Sequence, residues 1–207
     1  MKNAKTDNSN LAAKIALRRW FLEMYHRKCV PLVLDCCQGT GKIWSILRRE
    51  FPCKYQGADA APRRAGGIKV ESSRLFDISG WRFDVVDIDT YGEPWRHYEK
   101  LCRTATAPIT VFLTVGSVMA FGGHCSRYIY EALGIPLKTP RTLAIQAAQE
   151  MMDRLIWHPL GRLRLVDCRE MPASGHARYF GLRLEPPEPA GLPLKIDPVR
   201  TYKRKKK

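Results

Sequence analysis

No apolar stretch in this chain of 207 residues approaches the roughly 18 that a membrane-crossing helix requires. The first ten residues are polar and carry no apolar signal core. A protein neither secreted nor membrane-spanning is therefore expected. Acidic residues are scarce: 20 Asp and Glu face 35 Lys and Arg, giving a net charge of +15. The seven cysteines form no C-x-x-C pair and are odd in number, which favours reduced, buried thiols in a cytoplasm over a disulfide framework. Clustered Cys and His at ligand spacing are also missing, His124 beside Cys125 being the nearest approach, so no metal is expected. G-x-G-x-x-G is absent, with only Gly39 and Gly41 matching, which removes the main signature of a dehydrogenase. A P-loop fails too, because Cys36 stands where its first glycine should be and Ile43 where Ser or Thr should follow the lysine. There are no internal repeats.

What is present begins with Val33-Leu34-Asp35-Cys36-Cys37-Gln38-Gly39-Thr40-Gly41. Val33 and Leu34 supply an apolar strand, the two glycines let backbone approach a ligand, and Lys42 to Arg49 continue as a helix. A second strand, Lys54 to Ala58, ends at Asp59, 24 residues beyond Asp35. That is close to the spacing at which nucleotide-binding α/β folds place an acid on ribose hydroxyls. An adenosine-containing ligand follows as the expectation.

Helical spacing of Ala13, Leu17, Trp20, Phe21 and Met24 predicts a first helix capped from Asn8, Ser9 or Asn10, with Lys14 and Arg18 on another face. Ile68 to Glu71, Phe83 to Asp89 and Ile109 to Val115 read as further strands, the last two as buried parallel ones. Leu143, Ala147, Met151 and Leu155 mark a long helix stopped by His158-Pro159. Arg162 to Asp167 and Ala177 to Leu184 follow without a helix between them, so a hairpin is expected, adding one antiparallel strand to a parallel sheet of about seven. Trp20, Phe21, Tyr128 and Tyr130 read as core aromatics. The organisation expected is a flexible N-terminus over residues 1–10, one domain over 11–184, and a Pro-rich, basic tail over 185–207. The tail holds only part of the excess charge, so the body is basic as well, which suits a phosphate backbone.

Asp87-Ile88-Asp89-Thr90-Tyr91-Gly92-Glu93-Pro94 lies at the carboxyl end of the fourth strand, the edge at which open α/β sheets bind ligands. Two acids alternating on a buried strand are costly to desolvate unless paired or used.

Residues 11–184 resemble the class I S-adenosylmethionine-dependent methyltransferases. D-C-C-Q-G-T-G is similar to their D-x-G-x-G-x-G loop, and D-I-D-T-Y-G-E-P to the D-P-Y-G-x-P motif of tRNA guanine-N2 dimethyltransferases. The resemblance implies a Rossmann-like methyltransferase sheet with helices on both faces and S-adenosylmethionine as cofactor. It assigns the cofactor to Asp35, Cys37, Gly39, Gly41, Asp59, Ser72 and Asp87, and catalysis to Asp89, as acceptor from an amine, and Tyr91, as a stacking ring. Cys37 replaces the first loop glycine, which is tolerable if its φ stays negative, and Thr90 replaces the motif's proline. The implied reaction is methylation of an amino or ring nitrogen of a nucleic-acid base, RNA in preference to DNA, because the body leaves little room for a DNA-recognition domain. A non-catalytic nucleic-acid binder keeping this fold, or a protein methyltransferase, are the alternatives.

Overall fold

The computed structural model describes residues 10–60, 67–70, 72–77, 82–90, 94–116, 127–172 and 177–187. Helix α1 (Leu11–Tyr25) precedes strand β1 (Leu32–Asp35), helix α2 (Lys42–Glu50), β2 (Lys54–Asp59) and the two-residue β3 (Ile68–Lys69). A 3-10 turn over Ser72–Asp77 leads towards β4 (Val85–Ile88), α3 (Trp95–Thr104) and β5 (Ile109–Val115). Helices α4 (Arg127–Leu133) and α5 (Arg141–Trp157) come before the final pair, β6 (Arg164–Pro172) and β7 (Arg178–Glu185).

All seven strands form one sheet in the order β3-β2-β1-β4-β5-β7-β6. Every pairing from β3 to β5 is parallel, and β7 runs antiparallel to both neighbours, as the missing helix before it implied. The order reverses between β1 and β4, so the loops leaving those two strands diverge and open a crevice at the carboxyl edge.

Strict alternation divides the core. Val33, Val85, Phe112 and Tyr179 point to one face, where α1 and α2 cover them with Phe21, Leu22, Trp44 and Leu47. Leu34, Val86, Val111 and Leu113 point to the other, covered by Leu101 of α3, Tyr130 of α4 and the Ala144, Ala148, Met152, Ile156 stripe of α5. Gly181, opposite Phe112 in the sheet, leaves the gap that the Phe21 ring fills; a Cβ there would stand 2.3 Å from a ring carbon. Helices on both faces of a mostly parallel sheet are thus the observed architecture.

Several elements differ from expectation. The buried stripe of α5 is rotated by one residue, leaving Leu143 exposed, because its small residues, not its largest, meet the sheet. Strand β6 runs to Pro172 instead of Asp167: β7 pairs it from Arg164 to Pro172 around a bulge at Val166, and as an edge strand it carries Arg169 and Glu170 into solvent, which hid it from an apolar pattern. Strand β3 is shorter than expected, with both residues exposed, and Glu71 lies outside the described residues. Asn10 occupies the N-cap of α1 without a side-chain cap bond, and Asn8 and Ser9 lie outside the described residues. Phe21 and Tyr130 are buried, while Trp20 is half-buried beneath the Arg169 guanidinium, 3.3 Å from its ring centre; the side chain of Tyr128 lies outside what is described. Among the described residues no helix is long and apolar enough to cross a membrane.

At the far end of α1, His26 is buried with Nε2 2.9 Å from the Thr110 hydroxyl. Burial, with the Arg183 charge nearby, pushes its imidazole down to about 4 from 6.5. The unfolded chain therefore takes up a proton near pH 6.5 that the folded chain refuses until near pH 4. Stability is full above that window and is lost as pH falls through it. Wild type should lose on the order of 2 kcal/mol more than His26→Gln between about pH 7.5 and pH 4, read from urea unfolding.

Candidate functional site

The loop leaving β1 is built around two glycines in the left-handed region, Gly39 at φ 51° and Gly41 at φ 64°. Gly41 is the N-cap of α2. No described non-glycine residue has positive φ, so Cys37 takes the first glycine's place without strain. The Gly39 N–H donates to Asp59 Oδ2 at 2.9 Å, and the Gln38 N–H to the Ala58 carbonyl at 3.0 Å. The acid at the end of β2 is thus tied to the glycine turn after β1. Gly39 and Asp59 are thereby brought together at the carboxyl edge of the sheet, with Gly41 closing the turn through its N–H to the Gln38 carbonyl at 2.6 Å.

Asp35, Asp87 and Asp89 share one face: Asp35 sits beside Asp87 in the sheet, and Asp89 is two residues further along the same chain. They meet α1 and α2. The Arg18 guanidinium straddles Asp87, donating from Nε at 2.7 Å and Nη2 at 2.6 Å, and the Trp44 indole donates to Asp87 Oδ2 at 2.7 Å. One helical turn earlier, Lys14 Nζ lies 2.8 Å from both oxygens of Asp89. The Tyr55 hydroxyl donates to Asp35 at 2.8 Å. Four residues of helix advance about 6 Å and two of strand about 6.6 Å, so the i, i+4 cations fall into step with the alternate acids.

Three carboxylates and two cations share this pocket of low exposure. Burial, and then the charge of neighbouring Asp87, push the Asp35 carboxyl well above the usual carboxylate range, against the lowering effect of the Tyr55 bond. Burial likewise pushes the adjacent Cys36 thiol up, so it is a packing residue, not a nucleophile.

Two expectations are corrected. Lys14 and Arg18, expected on a face apart from the apolar stripe, are buried alongside Leu17 and Phe21 of that stripe, with only 4% and 1% of their surfaces exposed, whereas Met24 is out in solvent. Their charges are neutralised by acids distant in sequence, which a hydrophobic stripe cannot register. Asp87, expected beside the cofactor, is instead sealed under the edge at 1% exposure with both oxygens held by Arg18 and Trp44; it anchors α1 and α2. The 3-10 turn includes Ser72, whose side chain lies outside what is described, and Tyr91 lies outside the described residues altogether.

Sequence reasoning missed Lys14, Arg18, Trp44 and Tyr55. The available signal was the pairing of K-x-x-x-R on a helix with D-x-D on a strand.

No protein-family model matches the chain, and no curated protein sequence matches it. Solved structures do match its fold. Trm1 from Pyrococcus horikoshii in complex with S-adenosyl-L-methionine superposes with a TM-score of 0.53 at 15% identity, over 85% of this chain and 54% of that one. This chain therefore spans about half the length of that protein. A putative methyltransferase, yhhF, from Escherichia coli gives 0.51 at 11% identity over 84% and 86% of the two chains. A putative hemolysin from Lactococcus lactis gives 0.51 at 12% identity over 83% and 86%. With the strand order above, these likenesses make the fold a Rossmann-like methyltransferase fold.

Breaking one half of the sealed pair leaves a buried charge. Arg18→Met should destabilise the protein by about 3–5 kcal/mol in denaturant unfolding, because only Trp44 then remains on Asp87. Adding Asp87→Asn should recover part of that loss, since the neutral amide removes the stranded charge and can still accept from the indole.

Proposed function

We propose that the chain is an S-adenosylmethionine-dependent methyltransferase acting on an amino or ring nitrogen of a nucleic-acid base, RNA in preference to DNA. The observation that carries the reading is the meeting, at one sheet edge, of a glycine turn tied to Asp59 and a strand-end carboxylate, Asp89. The net charge of +15 supports a polyanionic substrate.

The edge suits a polar ligand. Gln38 Oε1 after β1, Thr90 Oγ1 after β4, Trp95 Nε1 at the start of α3 and Thr114 Oγ1 near the end of β5 are buried with no hydrogen-bond partner among the described residues. Buried polar groups of this kind are normally satisfied, so four at one edge mark where a ligand's polar groups would fit. In this reading Asp59 accepts from ribose hydroxyls, while Gly39, Gly41, Cys37 and Asp35 line the amino-acid end, with Ser72 towards the adenine.

When bound, S-adenosylmethionine supplies a methyl group already activated on a sulfonium. Asp89 then has one task. An exocyclic base amine is a weak nucleophile because its lone pair is delocalised, and a carboxylate accepting its N–H orients that lone pair and stabilises the charge developing on nitrogen. As the N–C bond forms, the methyl–sulfur bond breaks with its electron pair left on sulfur, and the amine's proton departs to water. Tyr91 is assigned the stacking face for the base.

A second reading, a non-catalytic nucleic-acid binder, draws support from Lys14 holding both Asp89 oxygens and from Thr90 in the proline's place.

Asp59→Ala should weaken S-adenosylmethionine binding at least tenfold by calorimetry, from the loss of hydrogen bonds to a charged group. Asp89→Asn, whose amide oxygen can still accept from the Lys14 ammonium, should retain cofactor affinity and lose on the order of 10²–10³ in single-turnover methyl transfer to bulk RNA. Equal rates would remove Asp89 from the mechanism. Tight RNA binding by a wild type that transfers no methyl group to RNA or DNA would favour the second reading.

A further inference from the structure

Lys14 is a lysine where a covering helix would ordinarily place an apolar residue. Only 4% of it is exposed, and its ammonium lies 5.0 Å over the Tyr179 ring as well as against Asp89. Burying an ammonium is costly, and the α1 anchor does not require it, because Arg18 already neutralises Asp87 one turn on. The second pair therefore serves something the first does not.

The difference between the two acids is access. The side chain of Asp87 is 2% exposed and fully engaged, whereas that of Asp89 is 18% exposed at the strand's mouth. A carboxylate has about four lone-pair sites, and Lys14 takes one on each oxygen. Capacity remains on both oxygens for N–H donors arriving from the crevice. A carboxylate standing alone just past a strand end would sample several rotamers. With both oxygens held by an ammonium whose stem is buried, it has one.

We propose that Lys14 is a positioning residue for methyl transfer, acting through Asp89: it fixes the carboxylate so that its remaining lone pairs meet the N–H of the reacting amine. This rests on the methyltransferase reading, in which Asp89 is the group that touches the substrate. Orientation is the quantity at stake, and a displacement of about 1 Å at a reacting centre can cost a hundredfold in rate.

The test is a double-mutant cycle on the full-length protein: wild type, Lys14→Met, Asp89→Asn and the double variant, with Lys14→Arg alongside. Each is measured by single-turnover transfer from labelled S-adenosylmethionine to bulk RNA at saturating cofactor, with cofactor affinity by calorimetry. Lys14→Met is expected to lower the rate by about tenfold to a hundredfold while cofactor affinity stays within about twofold. Lys14→Arg, with charge and donors kept but shifted, should lose only several-fold. The double variant should be no slower than Asp89→Asn alone, since Lys14 has nothing to act through once the carboxylate is gone. Should Lys14→Met fail to fold, Lys14→Arg carries the test, and a wild-type rate for it overturns the proposal. So do an undiminished Lys14→Met rate, losses that multiply in the double variant, or a loss confined to cofactor affinity. In each of those cases wild type remains active. A wild type that methylates no nucleic acid instead overturns the function itself, and the role of Lys14 with it.

Discussion

The buried pair between Arg18 and Asp87 is the interaction on which the geometry of the carboxyl edge depends. A buried ion pair adds little net stability over a well-packed apolar contact of the same volume, so its value lies in registration. An apolar helix sliding by one turn over an apolar sheet face loses little, but a guanidinium gripping one carboxylate at 2.6 and 2.7 Å permits a single position. Trp44 donates to the same carboxylate, so α1 and α2 are both indexed to β4. With α1 fixed in translation and rotation, Lys14 can stand only at Asp89.

The sheet's two faces divide the work. The α3–α5 face is packed with aliphatic and aromatic residues, and it is where Leu113, Ala144, Ala148 and Ile156 are almost wholly excluded from water. The α1–α2 face carries the polar apparatus: Asp35, Asp87 and Asp89 from the strands, Lys14, Arg18 and Trp44 from the helices. Alternation along the strands makes this division automatic, because a set of acids two residues apart must share a face. The apolar side supplies stability and the polar side supplies position.

How much of this was legible follows from which interactions are local. The glycine turn, the acid after β2 and the antiparallel β7 were readable, since each is written in neighbouring residues or in the absence of a helix between two strands. The inward face of α1 was not. Its cations are buried only because their partners lie 69 and 75 residues away, and no periodicity in the helix itself reveals a compensating charge. The α5 stripe failed for a related reason: close helix–sheet packing selects Ala144 and Ala148, while a hydrophobic pattern follows Leu143. Edge strand β6 was cut short because its outer positions answer to water and to Glu170–Arg178 pairing, not to a core.

The position of α1 also sets an order of events during synthesis. It precedes every strand of the sheet, and two of its partners come late: Phe21 needs the space above Gly181, and the Tyr25 hydroxyl bonds Asp167, 142 residues later in the chain. At ribosomal speeds of about 5–20 residues per second, α1 waits on the order of ten seconds for the strands that cover it. Through that interval its inner face would be a sticky apolar stripe were it not for Lys14 and Arg18, whose charges keep it hydrated. The same two side chains that later mark the helix's address therefore make its inner face less apolar while it waits.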